Sequence, residues 1–132
     1  MSQSSEEQLI QRYFAAFNSH DLDGVLACFH HDAIIIGSDG SRYDGLDAVR
    51  SLYAEQFAIT PDGRCDLRSF AAADGKGDAE SLFQGTRARD GRPIRAVGLE
   101  RFTFLDALTG SSRRCMCTTV RSNRGERPWR TA

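Results

Sequence analysis

The chain has 132 residues, a size that fits one domain around one core. Apolar residues make up 40% and charged residues 27%, the balance of a soluble globular protein rather than a disordered or fibrous one. The net charge of −1 gives no general affinity for nucleic acid, and no apolar run approaches the roughly 18 residues of a membrane span. The polar, acidic start Met-Ser-Gln-Ser-Ser-Glu-Glu does not read as a signal peptide, so a cytoplasmic location is expected.

Ser4 and Glu7 fit the capping box S-x-x-E, so a first helix should begin near residue 5. Leu9, Ile10, Tyr13, Phe14 and Phe17 fall on one face of it, and Asn18-Ser19-His20 ends it. Asp21 is the expected N-cap of a second helix, with a stripe of Leu22, Val25, Leu26 and Phe29 closed by His30-His31-Asp32. The β-branched run Ala33-Ile34-Ile35-Ile36 reads as a strand, Gly37-Ser38-Asp39-Gly40 as a turn, and Ser41-Arg42-Tyr43 as a short return strand. Leu46, Val49, Leu52, Tyr53 and Phe57 mark a third helix over 46–58, broken by Thr60-Pro61-Asp62-Gly63.

Strands then follow: 65–73, 79–88 and 93–105, separated by Asp74-Gly75 and Asp90-Gly91. The last alternates most clearly, with Ile94, Ala96, Gly98, Glu100, Phe102 and Phe104 on one face. Three helices followed by an antiparallel meander predict an α+β fold, with helices packed on one curved sheet.

Residues 113–132 break the pattern, with six arginines against the single acid Glu126. They read as an atypical tail on a domain of residues 1–112: a poor last strand followed by disorder. An out-of-frame reading of a GC-rich gene is the competing explanation, since it enriches Arg, Ser and Cys, and the chain holds one Lys among its 17 basic side chains. Nucleic-acid binding by this tail has little aromatic interleaving to support it.

Tyr13 places a hydroxyl on an apolar helix face, where it serves as an ordinary core tyrosine or as a positioned donor. Glu100 is an acid on the apolar face of a strand, so it needs a partner or must stay neutral. A salt bridge with Arg101 or another arginine is the alternative if the register differs by one. Asp39 sits in ordinary Ser-Asp-Gly turn chemistry. Phe17, Phe29, Tyr53, Phe57, Phe83 and Phe102 line a pocket or fill a core. The cysteines form no C-x-x-C pair, and no histidine stands at zinc-ligand spacing from Cys115 and Cys117, so no metal is expected.

The segments Gln11-Arg12-Tyr13, Asp21-Leu22-Asp23-Gly24, Phe29-x-x-Asp32-Ala33, Gly45-x-x-Ala48-Val49-Arg50-x-x-Tyr53 and Glu100-x-Phe102-x-Phe104 resemble the ketosteroid isomerase and SnoaL-like group of the nuclear transport factor 2-like superfamily. The resemblance runs from about Leu9 to Phe104. It implies a cone-shaped α+β barrel with a deep apolar pocket, usually a homodimer packed through the sheet. The implied activity is cofactor-free enolisation or isomerisation of a hydrophobic carbonyl compound, a steroid or polyketide. In the isomerases a carboxylate takes a proton next to a ketone, while a tyrosine and a protonated acid stabilise the enolate. Tyr13 matches that tyrosine, Tyr53 a pocket tyrosine that orients it, and Glu100 the protonated acid, one methylene longer. Gly37 stands where the base belongs, and Asp39, two residues on, is the candidate replacement. The non-catalytic alternative is a ligand-binding or protein-interaction domain that lacks the base.

Overall fold

The structure is a computed structural model; it describes residues 4–37, 39–105 and, as backbone, 106 and 114–125. Helix α1 (Ser5–Asn18) starts at the expected box: Ser4 Oγ accepts from Glu7 N at 3.1 Å, and Glu7 Oε1 accepts from Ser4 N at 3.0 Å. His20 follows its end in the left-handed region (φ 53°), and its Nε2 donates to Gly63 O at 2.9 Å. Helix α2 (Leu22–Leu26) is capped by Asp21, whose carboxylate accepts from Gly24 N.

This second helix is shorter than its stripe predicts. Phe29, His30, His31 and Asp32 do not close it but open strand β1 (Phe29–Ile36). The reason is tertiary: Phe29 pairs with Met116 on a neighbouring strand, and long-range pairing outweighs the weak helical preference of Phe-His-His-Asp. Strand β2 (Arg42–Asp44) and helix α3 (Gly45–Ile59) follow within a residue or two of the expected bounds.

Strands β3 (Arg64–Ala73), β4 (Lys76–Thr86) and β5 (Pro93–Asp106) form the expected meander. The β3–β4 hairpin turns on two residues, Asp74 (φ 57°) and Gly75 (φ 81°), both in the left-handed region that a tight hairpin turn requires. Strand β6 (Arg114–Gly125) is a twelve-residue strand, longer than the poor strand expected there. The expected boundary between residues 112 and 113 lies outside the described residues, as does the expected disordered terminus beyond Gly125; β6 itself runs past Val120, after which the sequence predicts that terminus.

The six strands run β2-β1-β6-β5-β4-β3. Neighbours are antiparallel except β1 and β6, which are parallel. The result is an α+β arrangement with helices packed on a largely antiparallel sheet; α1 lies mainly on β3 and α3 on β1. Cys65 and Ala72 of β3, Ala79, Ser81 and Phe83 of β4, and Ile94 to Phe104 of β5 at every second position face these helices. Asn18 ties α1 to the outermost strand, its amide donating to Cys65 O (2.9 Å) and accepting from Cys65 N (2.7 Å). Among the described residues no helix is long and apolar enough to cross a membrane.

Candidate functional site

The helix side of the interior is aromatic. Tyr13 of α1 and Tyr53 of α3 are both buried, and their hydroxyls approach to 2.5 Å. The ring of Tyr13 meets Phe14 (5.1 Å between centroids), Phe29 (5.8 Å), Tyr53 (6.0 Å) and Phe102 (6.3 Å), all near edge-to-face. Such geometry sets the positive ring edge of one against the negative face of another. Phe17 extends the cluster to Phe57 (5.4 Å) and Phe83 (6.3 Å). All six aromatics expected to line the pocket therefore join one cluster around the Tyr13–Tyr53 pair. Helical spacing explains it: Tyr13 and Phe17 lie four apart on α1, and Tyr53 and Phe57 four apart on α3.

The sheet side carries the acid. Strand alternation turns Glu100 inward with Phe102 and Phe104, and it is 6% exposed. Ser81 Oγ of β4 donates to Glu100 Oε1 at 2.7 Å. The residue between them in register is Gly98, which pairs with Ser81. A Cβ at position 98 would stand 2.7 Å from both Glu100 Oε1 and Ser81 Oγ, so the glycine makes room for this bond. On the other side, the backbone of Arg121 lies directly across from Glu100. The alternative register that pairs Glu100 with Arg101 does not occur; Arg101 turns outward to Asp78 at 3.1 Å.

Asp39 lies outside this interior, exposed in the β1–β2 turn. Its Oδ1 accepts from Ser41 N at 3.0 Å, an Asx-type turn. Gly37 follows the last residue of β1, two positions after buried Ile35. A Cβ on Gly37 would stand 3.1 Å from Asp39 Oδ1, so the Asp39 carboxylate lies beside the place where a side chain of residue 37 would begin.

Two polar features of the interior escape sequence reasoning. Ser81 looks like any polar strand residue until its inward register is known. Gln56, on α3, is buried, and neither Nε2 nor Oε1 has a hydrogen-bond partner among the described residues. Its signal was faint: it stands three after Tyr53 and four after Leu52, on the face that packs inward.

Potential metal ligands gather at His30, His31 and Asp32, whose ligand atoms lie within 4.8 Å of one another. His30 Nδ1 accepts from Asp32 N at 3.1 Å, which leaves the ring proton on Nε2, a tautomer that donates rather than ligates. His31 Nε2 instead meets Asp32 Oδ2 at 3.2 Å near the surface. Cys28 and Cys65 are both buried, and Cys28 Sγ donates to Gly24 O at 3.5 Å.

Chemically, the interior offers paired phenol hydroxyls among aromatic rings, a buried carboxyl group, and on the Tyr53 face of α3 the Gln56 amide, which has no partner among the described residues. Apolar walls with a few polar groups are the composition of a small-molecule site. Known structures share the architecture. A ketosteroid isomerase-like protein from Erwinia carotovora atroseptica superposes with a TM-score of 0.71 at 21% identity, over 91% of this chain and 94% of that one. A nuclear transport factor 2-like protein of unknown function from Burkholderia pseudomallei K96243 gives 0.77 at 18% identity, over 90% of each chain. A protein from Jannaschia sp. CCS1, provisionally named a SnoaL-like polyketide cyclase, gives 0.78 at 11% identity, over 93% of this chain and 90% of that one. At such identities the likeness is one of fold. The sequence pattern of the SnoaL-like domain matches residues 10–108, from the first turns of α1 past the end of β5 and so across most of the chain. With its ketosteroid isomerase-like, nuclear transport factor 2-like fold, this chain belongs to the family of SnoaL-like domains.

Proposed function

We propose that this SnoaL-like chain is a cofactor-free pocket protein that binds a hydrophobic carbonyl compound, a steroid or polyketide, and promotes its enolisation or isomerisation. The observation that carries the reading is the Tyr13–Tyr53 hydroxyl pair held inside an aromatic interior. Tyr53 orients the Tyr13 hydroxyl, which donates to the carbonyl oxygen as negative charge develops there. A fixed donor in a dry site is worth more than one in water, because it needs no reorganisation. Glu100, when protonated, is the second donor. Asp39 is the base: its carboxylate takes a proton from the carbon next to the carbonyl and returns it to the γ carbon. The closeness of its carboxylate to the place where a side chain of residue 37 would begin supports this role.

Catalysis is not required by the pocket, and one observation favours binding alone. Asp39 is exposed and already accepts from Ser41 N. The two readings part on one assay. Mixed with a β,γ-unsaturated 3-ketosteroid, an isomerase generates the ultraviolet absorbance of the conjugated enone, and Asp39→Asn abolishes the growth. No growth above buffer excludes steroid isomerisation of that substrate. In either reading, Tyr13→Phe weakens a phenolic enolate mimic such as 2-naphthol by about 1–3 kcal/mol. Unchanged affinity removes Tyr13 as the donor.

The same reading includes the conical closure of the sheet around the helices and a homodimer packed through the outer sheet face. Leu99 (38% exposed) and Leu105 (43%) lie on that face of β5 and support it. Light scattering that gives twice the chain mass, reduced to one by Leu99→Lys, is the expected result.

A further inference from the structure

Gln56 stands apart among the buried side chains described, because both of its polar atoms lack a hydrogen-bond partner. Tyr13 pairs with Tyr53, and Glu100 accepts from Ser81. The backbone carbonyl of Gln56 is itself served twice, by Thr60 N and Thr60 Oγ1, each at 3.1 Å. Its side chain, 3% exposed, has no partner among the described residues for its donor or for its acceptor. Helical side chains lean toward the N-terminus, so the carboxamide covers the turn that carries Leu52 and Tyr53. It therefore lies on the side of α3 that supplies a hydroxyl to the aromatic site.

An unpaired amide is a costly thing to bury. Leucine or methionine would fill the same volume without that cost, and a native interior that keeps such a group asks for an explanation. The amide sets a donor and an acceptor side by side on one carbon. Its complement is an acceptor and a donor side by side on the ligand. A lone ketone would satisfy Nε2 and leave Oε1 buried and unpaired, which is how a polar pocket rejects an analogue that lacks one group.

We infer that Gln56 reads the ligand of this site, selecting an apolar ring compound whose carbonyl has a hydrogen-bond donor on the same or the adjacent carbon, as in a carboxamide, a protonated carboxyl group or an α-hydroxyketone. The inference rests on the carbonyl-binding reading above and narrows it. Nε2 donates to the ligand carbonyl, and Oε1 accepts from the neighbouring donor. Gln56 is a specificity residue here and takes no part in moving the proton.

The test compares 2-naphthamide with 2-acetonaphthone, which differ only by an amide NH2 in place of a methyl group. Titration calorimetry on the wild-type chain should give roughly tenfold or tighter binding for the amide, since one additional satisfied pair of buried groups is at stake. Gln56→Met should reverse the preference and raise the melting temperature, because it removes an unpaired polar group from the interior. Equal wild-type affinities overturn the inference and leave the pocket reading standing, since both probes still bind. So does a preference for the amide that survives Gln56→Met. Binding of neither probe overturns both. A lower melting temperature for Gln56→Met without any change in preference makes Gln56 a structural residue and overturns the inference. The wild-type comparison alone decides if the variant does not fold.

Discussion

Glu100 and Asp39 are both carboxylates at the end of a strand-and-turn argument, yet the fold treats them in opposite ways. Glu100 sits inside a regular strand, where alternation with Ile94, Phe102 and Phe104 fixes its direction. Asp39 sits in the turn after β1, where backbone hydrogen bonds, Gly37 N to Ser41 O (2.8 Å) and Gly40 N to Gly37 O (3.0 Å), set the geometry. One acid is held by the sheet and costs free energy to bury; the other is held by its own turn and stays in water. The contrast shows where period-2 reasoning is strong and where it has nothing to grip.

Four measurements break or sharpen that contrast. Gly98→Ala should do the most damage, because the new methyl stands 2.7 Å from both ends of the Ser81–Glu100 bond. Overpacking of this kind costs about 2–3 kcal/mol by urea denaturation, and a neutral result would mean that Glu100 is free to swing away. Ser81→Ala should cost about 1–2 kcal/mol, since it removes a neutral donor from a buried carboxyl group. On the surface side, Asp39→Asn should change stability by less than about 0.5 kcal/mol, because an asparagine oxygen still accepts from Ser41 N. A larger loss would move Asp39 into the structural class.

The smallest effect belongs to the turn between β4 and β5. Arg87 donates to both oxygens of Asp90, at 3.0 Å and 2.6 Å, and Arg92 N donates to one of them at 3.1 Å. The Arg87 guanidinium first, and then the Arg92 backbone N–H, lower the Asp90 pKa from 3.8 to about 2. A lowered carboxylate supports the folded turn above its ordinary pKa and loses that support as pH falls from about 3.8 toward 2. Titration of the Asp90 side-chain carbon by NMR should show that midpoint, and Arg87→Ala should raise it toward 3.8.

Much of the fold was legible because local chemistry and tertiary structure agree. Ser4 and Glu7 announce α1, Asp74-Gly75 the first tight hairpin, and the alternation from Ile94 to Phe104 the inward direction of Glu100. The early end of α2 was not legible, because strand pairing from Phe29 decides it and the partner lies more than eighty residues away in sequence. Gln56 was hidden for a different reason. A polar residue beside an apolar stripe is ordinary in a surface helix, and only burial reveals that this one faces inward. The basic composition of 114–125 argued against a good strand, but a strand between two partners is held by its backbone as much as by its side chains.

That placement of β6 bears on how the chain is made. Strands β1 and β5 do not pair with each other; β6 joins them, parallel to one and antiparallel to the other. On the ribosome, β1 with β2 and β3 with β4 and β5 emerge as separate part-sheets, and neither can complete its hydrogen bonding until residues 114–125 have been synthesised. Both leave open strand edges in the meantime, the kind of surface that recruits other chains. A stop codon anywhere before residue 114 would make that waiting state permanent, so truncation at this end should produce aggregates rather than a smaller folded domain.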